Sequence, residues 1–386
     1  MNKKISITGL SSISSLGSNP HEIWQRYLNR KSFVSLKQFE KFQAYVGAIS
    51  EVENSKINQL RASDSKFKDL DRSVLLAMYV SRKALKQVAW ESNFGVNFGS
   101  SRGATELFEK YYYEFRNNEY GKTATLTSPT TTLGNIASWV AQDLKTNGPD
   151  ISHSITCSTG LHAVLNGVAW IRSGMSNTFL VGASEAANTE FTIAQMQALK
   201  IYSAPKKAEY PCRALDFEKK SNTMVLGEGA VAICLEKGVS ENSIAVIEGV
   251  GYATEMLKHN ISISANADCF QKSMKMALDE ANLSKVDAIV MHAPGTIKGD
   301  SSEYNAIVKV FEKELPILTT NKWKIGHTLG ASGLLSLEFA ILMMQYQQFI
   351  PVPFVEGMKT TKQLKKIMVN SVGFGGNAVS ILLSSK

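Results

Sequence analysis

Short apolar segments of strand length alternate with longer segments of helical periodicity along this chain, and the alternation starts twice. The first run opens with KKISITGL, where Ile5 and Ile7 alternate before Gly9 and predict a strand ending in a glycine turn. A helix from about Asp71 follows, with Val74, Leu75, Met78, Val80, Leu85 and Val88 near helical spacing. Then come the strand GVNFGSS, an N-capped helix over SPTTTLGNIASWVAQDL, a short strand HSIT, a helix closing at Gly174, and the strands TFLVGAS and VAICLEK. The second run begins near Ile244 with AVIEGVGYA. It continues through a helix around Phe270 to Asn282, DAIVMHAP, a helix over SSEYNAIVKVFEK, ILTT and a long helix from Gly333, and ends in two strands around the glycine turn of KIMVNSVGFGGNAVSILLSS. Such alternation predicts an α/β fold with mostly internal strands. The similar pacing predicts two similar halves, 1–240 and 241–386, descended from a duplication. No low-complexity linker separates them, and 386 residues with 44% hydrophobic content suffice for two cores or one shared core.

Several function classes are disfavoured. The N-terminus MNKKISITGLSSISSLG is interrupted by serines and builds no apolar signal core, and the most apolar helix, LLSLEFAILMMQYQQFI, carries Glu338 before turning polar. A cytoplasmic protein with no membrane insertion is expected. The cysteines 157, 212, 234 and 269 form no C-x-x-C pair, and no phosphate-binding loop or dinucleotide fingerprint is present. The net charge of +8 comes from scattered residues not grouped with aromatics, which suits an acidic protein partner at least as well as nucleic acid. The polar, basic segment SAPKKAEYPCRALDFEKKSNT reads as a long surface loop.

In ITCSTG a strand runs into Cys157, which opens a helix among small residues. Free N–H groups and partial positive charge at a helix N-terminus favour thiolate over thiol, and the small neighbours leave room for an acyl thioester. Taken alone, Cys157 reads equally well as a small residue in a tight turn. His292 leaves the strand AIVM before APGT, and His327 lies in KIGHTLGASG before the long apolar helix. Each imidazole sits at an element end beside glycine or other small residues, where active-site groups of α/β folds gather. His21, His153, His162 and His259 are read as structural. Two neutral imidazoles can donate hydrogen bonds to an oxygen that becomes an enolate. A zinc site from Cys157, His292 and His327 is the alternative use of these residue types, although the usual short ligand spacings are missing.

The ordered motifs ITGLSSISSLG, ITCSTG, VLGEGA, HAPGTIKGDSSE, KWKIGHTLGASG and NSVGFGGNA resemble, nearly end to end, the elongating β-ketoacyl-ACP synthases of the thiolase-like superfamily. The resemblance implies a five-layered αβαβα thiolase-like fold from two similar halves, usually dimeric. It implies that Cys157 accepts the acyl group and that His292 and His327 support malonyl decarboxylation, with Lys322 organising the pair. Phe374 would gate the nucleophile, its N–H joining that of Cys157 in the oxyanion hole, and Thr296, Phe374, Gly375 and Asn377 would contact substrate. Asp300 and Glu303 would be structural acids. No metal, nucleotide or other cofactor is implied.

The partners implied are acyl-ACP and malonyl-ACP, which the loop carrying Lys206, Lys207, Arg213, Lys219 and Lys220 could meet. The aromatic stretch ELFEKYYYEF would line the acyl tunnel or a subunit interface, or be a plain surface helix. Two departures stand out: Pro294 replaces a threonine that would grip the pantetheine arm, and Asn377 replaces the usual threonine after GFGG. Together with a shorter chain they suggest a specialised synthase, for polyketide, aryl-polyene or flexirubin-like products more than housekeeping fatty-acid elongation. The rival readings are a chain-length-factor-like subunit active only in a heterodimer, and an initiating synthase or thiolase. The first would ordinarily lack the cysteine. An initiating enzyme would place asparagine at 327, and a thiolase would need a second catalytic cysteine near its C-terminus.

Overall fold

The computed structural model describes residues 4–133, 135–256, 263–312, 314–356 and 363–386; His259 lies outside them. In chain order the strands are β1 (Ile5–Ile13), β2 (Ser35–Gln38), β3 (Gln43–Gly47), β4 (Gly95–Gly99), β5 (Asp150–His153), β6 (Thr178–Glu185) and β7 (Leu226–Gly227). They continue with β8 (Gly229–Lys237), β9 (Ala245–Thr254), β10 (Ala288–Val290), β11 (Ile317–Thr319), β12 (Lys366–Gly373) and β13 (Asn377–Ser384). Strands β2, β3 and β7 form a small sheet, and the other ten run in the order β11-β10-β12-β13-β9-β1-β8-β6-β4-β5. The large sheet is two five-stranded sheets joined where Ile5, Ser6 and Ile7 meet Ile247, Val246 and Ala245. Numbered within its own half, each has the order third, second, fourth, fifth, first. From the outer edge the pairings in each are parallel, parallel, antiparallel and antiparallel. The expected pair of similar halves is therefore present as a repeated topology.

Side-chain alternation in the strands sets the layers. In β8, Val231, Ile233 and Leu235 enter the central core, while Ala230, Ala232 and Cys234 face the opposite side. The central core is filled by the helices Thr159–Ser173 and Ser332–Tyr346. One outer face is covered by the helices Arg72–Leu85 and Asn135–Leu144, the other by Asp268–Ala281 and Ile297–Phe311. Five layers, αβαβα, result.

Four local expectations differ from the structure. The first strand does not stop at Gly9: it continues to Ile13 with a register shift between Ile7 and Gly9. A Cβ at residue 9 would lie 2.9 Å from the Ala84 carbonyl oxygen, so the glycine serves close helix packing. The strand before the cysteine is Asp150–His153, earlier than HSIT, and the helix expected over SPTTTLGNIASWVAQDL appears as Thr127–Thr131 and Asn135–Leu144. The basic segment 203–223 is only partly a surface loop. Cys212, Ala214 and Leu215 are buried in the second outer core, and Lys219 forms a buried ion pair with Asp300 at 2.6 Å.

The segment Leu329–Tyr346 has the length and hydropathy of a membrane span, but 89% of it is buried inside the protein, where it serves as a core element. It carries Glu338, whose Oε1 accepts a hydrogen bond from Ser12 Oγ at 2.6 Å. Burial pushes the Glu338 carboxyl up to about 7, against the opposing effects of Ser12 and Lys83. Because the folded-state pKa lies above the unfolded one, its contribution to stability is present below about 4.5 and is lost as pH rises to about 7. Glu338→Gln keeps an acceptor for Ser12 and removes the ionisation. It is expected to raise the melting temperature at pH 8 by about 3–5 °C and to leave it unchanged at pH 4, as read by calorimetry at both values.

Candidate active site

Cys157 precedes Ser158, the N-cap of the helix Thr159–Ser173, and is 7% exposed. The turn into the helix is tight: Thr156 adopts a left-handed φ of 47°. The C-terminal hairpin presses against it, with Ser371 Oγ donating to the Cys157 carbonyl at 3.1 Å and Thr156 Oγ1 to the Phe374 carbonyl at 3.3 Å. A Cβ at Gly373 would lie 1.9 Å from Thr156 Oγ1 and 3.2 Å from the Cys157 nitrogen, so only glycine lets the hairpin reach the cysteine. Burial, reinforced by Glu185, pushes the Cys157 thiol up to about 12, while Lys322 and Arg102 oppose the shift. Desolvation works against the thiolate that the helix N-terminus would favour.

His292 and His327 meet with ring centroids 5.1 Å apart and planes at 81°. His292 lies two residues beyond the end of β10, its backbone held where its own N–H and that of Ala293 donate to the two Glu303 oxygens at 3.0 and 2.9 Å. Its Nδ1 is buried and has no hydrogen-bond partner among the described residues. His327 is positioned by its own N–H, donating to the Val225 carbonyl at 2.6 Å, and by its carbonyl, which accepts from Gly227 at 3.0 Å. Leu329 N–H donates to His327 Nδ1 at 3.2 Å, which leaves the ring proton on Nε2. Burial holds His327 at about 3, with Lys322 adding to the effect. Burial, then His327, then Lys322 hold His292 well below the usual histidine range. Both rings are neutral at physiological pH.

Lys322 is buried at the start of the short helix Lys322–Ile325. Desolvation lowers its pKa to about 8, offset foremost by Glu303. Asp300 accepts from the Leu215 and Gly295 N–H groups as well as from Lys219, which ties the basic loop beneath the His292 turn. Asn370 Nδ2 donates to Glu303 at 3.2 Å, and Glu185 accepts from the N–H groups of Ser101, Arg102 and Gly330. Glu185 and Asn370 escaped the sequence reading. Locally each is one polar residue among others in its strand, with Ser184 beside Glu185 and Ser371 beside Asn370.

A cleft of about 280 Å3 is lined by Cys157, His292, His327, Thr296 and Phe374, with walls of Met196, Ile201, Met224, Leu329 and Val372. Phe374 is 39% exposed at its edge. Thr296 lines the cleft while capping the helix Ile297–Phe311, its Oγ1 accepting from Gly299 N–H at 3.1 Å. Pro294 and Lys298 also face the cleft. Gly375 and Asn377 are not among the lining residues; Asn377 Oδ1 accepts from Thr254 Oγ1 at 3.1 Å. The stretch ELFEKYYYEF forms the helix Thr105–Asn117, where Tyr111 is buried and Phe108, Tyr112 and Tyr113 are exposed. His153 and His162 bond backbone carbonyls at 3.1 Å, and no group of metal-ligating side chains occurs among the described residues.

Residues 2–240 match the Beta-ketoacyl synthase N-terminal domain, and residues 244–356 match the Beta-ketoacyl synthase C-terminal domain. The chain is similar to 3-oxoacyl-[acyl-carrier-protein] synthase 1 of Buchnera aphidicola subsp. Baizongia pistaciae, at 27% identity over 99% of each chain. It is also similar to 3-oxoacyl-[acyl-carrier-protein] synthase 2 of Coxiella burnetii, at 26% identity over 99% of this chain and 98% of the relative. Among solved structures, the ishigamide ketosynthase/chain length factor superposes with a TM-score of 0.88 at 20% identity, covering both chains completely, a likeness of fold.

Proposed function

The chain belongs to the β-ketoacyl synthase family, and from that premise we propose that it is a 3-oxoacyl-[acyl-carrier-protein] synthase acting by decarboxylative Claisen condensation. The observation that carries this reading is one cleft lined by a cysteine and two neutral, buried imidazoles.

In the first half-reaction the Cys157 sulfur forms a thioester with the acyl group of acyl-ACP. The carrier's C–S bond breaks, and the thiol proton leaves with the carrier thiol. In the second, malonyl-ACP enters and its C–C bond breaks to release CO2. The enolate oxygen accepts hydrogen bonds from the imidazoles, that of His327 through Nε2–H. The enolate carbon then attacks the acyl carbonyl, whose oxygen is held by the backbone N–H groups of Cys157 and Phe374. The Cys157 C–S bond breaks, and the sulfur takes up one proton as β-ketoacyl-ACP departs. Burial keeps both imidazoles neutral, and the nearby Lys322 charge adds to that effect because a cation disfavours a second one. Thr296 and Phe374 contact the incoming thioester, and Gly375 and Asn377 shape the turn behind Phe374. Asp300 and Glu303 hold the His292 turn.

The half 1–240 then carries the nucleophile and 241–386 the histidines. The partner is an acidic carrier protein in the cytoplasm, and the working unit is a homodimer or a heterodimer with a chain-length-factor-like subunit. Lys206, Lys207 and Lys220 are the exposed lysines of the basic loop for carrier contact; Lys219, committed to Asp300, is withdrawn from that role. The apolar walls suit a hydrocarbon acyl chain.

The test is to incubate the protein with acyl-ACP and then malonyl-ACP, following intact mass and CO2 release. An acyl adduct followed by CO2 and β-ketoacyl-ACP is expected. With burial holding His327 at about 3, both imidazoles stay neutral and the second step should hold its rate from pH 6 to 8, without the acid-side fall of a histidine titrating near 6.5. No adduct and no CO2 would refute the proposal.

A further inference from the structure

The turn that carries Lys322 and His327 is fastened to the rest of the fold by a charged group with no part in the reaction above. Lys324 is fully buried, which lowers its pKa to about 7, and the three carbonyls around its Nζ favour the ammonium form. Its ammonium donates to the backbone carbonyls of Arg26 at 2.7 Å, of Lys31 at 2.9 Å, and of Asn29. Arg26 lies in the last turn of the helix Pro20–Leu28 and Asn29 is its C-cap, so the cation meets the negative end of a helix. The rings of Trp323 and Phe33 lie with centroids 4.4 and 5.3 Å from Nζ. No ion pair involves Lys324 among the described residues. Three ammonium hydrogens and three carbonyls use the donor capacity completely.

Two further bonds join the same strands of chain: Phe33 N–H donates to the Lys324 carbonyl at 2.9 Å, and Ser32 Oγ to the Trp323 carbonyl at 2.9 Å. The other end of the turn is held where His327 and Gly227 bond across to each other's segments. A buried cation is costly unless its hydrogen bonds are all made, and its three bonds have a single geometry that satisfies them. The ammonium therefore sets where the 322–327 turn sits relative to the 26–31 turn. A displacement of about 1 Å in a reacting group suffices to cost 100-fold in rate.

We propose that Lys324 is a positioning residue for the decarboxylation step, fixing Lys322 and His327 through the turn they share and leaving acylation of Cys157 largely untouched. This rests on the reading given above, in which the cysteine and the histidines act in separate half-reactions. Cys157 stands at the entrance of a different helix, held by the C-terminal hairpin.

The test measures each half-reaction in wild type, Lys324→Met and Lys324→Gln. Acylation is followed by intact mass with acyl-ACP. The second step is followed as CO2 and product released in a single turnover of preloaded enzyme with malonyl-ACP. The methionine variant should load within about threefold of wild type while its second step falls tenfold or more, and glutamine, which keeps two donors, should recover part of the loss. Should the methionine variant fail to fold, the glutamine variant carries the same expected split. Equal losses in both half-reactions, or no loss in either, would overturn the positioning role. Wild type that never acquires an acyl group would instead refute the synthase reading itself.

Discussion

Cys157→Ala is expected to abolish acyl transfer: incubated with acyl-ACP the variant acquires no mass, while wild type gains one acyl group, and condensation falls by about 10⁴-fold or more. The size of the effect follows from chemistry. Without the sulfur there is no thioester to be attacked, and among the described residues no other side chain lining the cleft is a thiol. Cys212, Cys234 and Cys269 are buried, and burial holds each thiol high, the first at about 12. They are poor substitutes even at high acyl concentration. Loss of one sulfur from the end of a helix should lower stability by only about 1 kcal/mol, so a folded, inactive variant is the anticipated product. An adduct that persists on the alanine variant would remove Cys157 from the nucleophile's role.

The second large effect belongs to His327→Ala. Removing one preorganised donor to a developing oxyanion costs about 10²–10³ in rate, and the loss should appear in CO2 release from malonyl-ACP, with Cys157 acylation changed by less than about tenfold. Because the ring also accepts from Leu329 N–H, alanine leaves that buried donor without a partner, which costs about 1–3 kcal/mol of stability. His327→Asn, which retains a donor, should keep more activity than alanine. Loss of acylation equal to the loss of decarboxylation would show that the two half-reactions are not divided as proposed.

The strand and helix pattern was largely readable because its cause is local. The continuous apolar run of β8, buried on both faces, and the apolar face of the helix Arg72–Leu85 are both carried by neighbouring residues. Where reading failed, a distant segment had intervened. Gly9 looks like a turn until Ala84 is seen against it, and the segment 203–223 looks solvated until Lys219 is found paired with Asp300. The helix N-terminus is visible in ITCSTG, whereas the desolvation that opposes a thiolate there is supplied by other parts of the chain.

What the sequence determined by itself was the layered α/β repeat, the junction at which Cys157 stands, and the two element ends that carry His292 and His327, since each is encoded by neighbouring residues. The tertiary structure alone decided that these three positions, far apart along the chain, share one cleft and that the two imidazoles are neutral. It alone decided that Glu185, Asn370 and Lys324 serve the surrounding turns. Strand order and burial are properties of contacts between remote segments, and the electrostatic state of a group depends on what surrounds it in space.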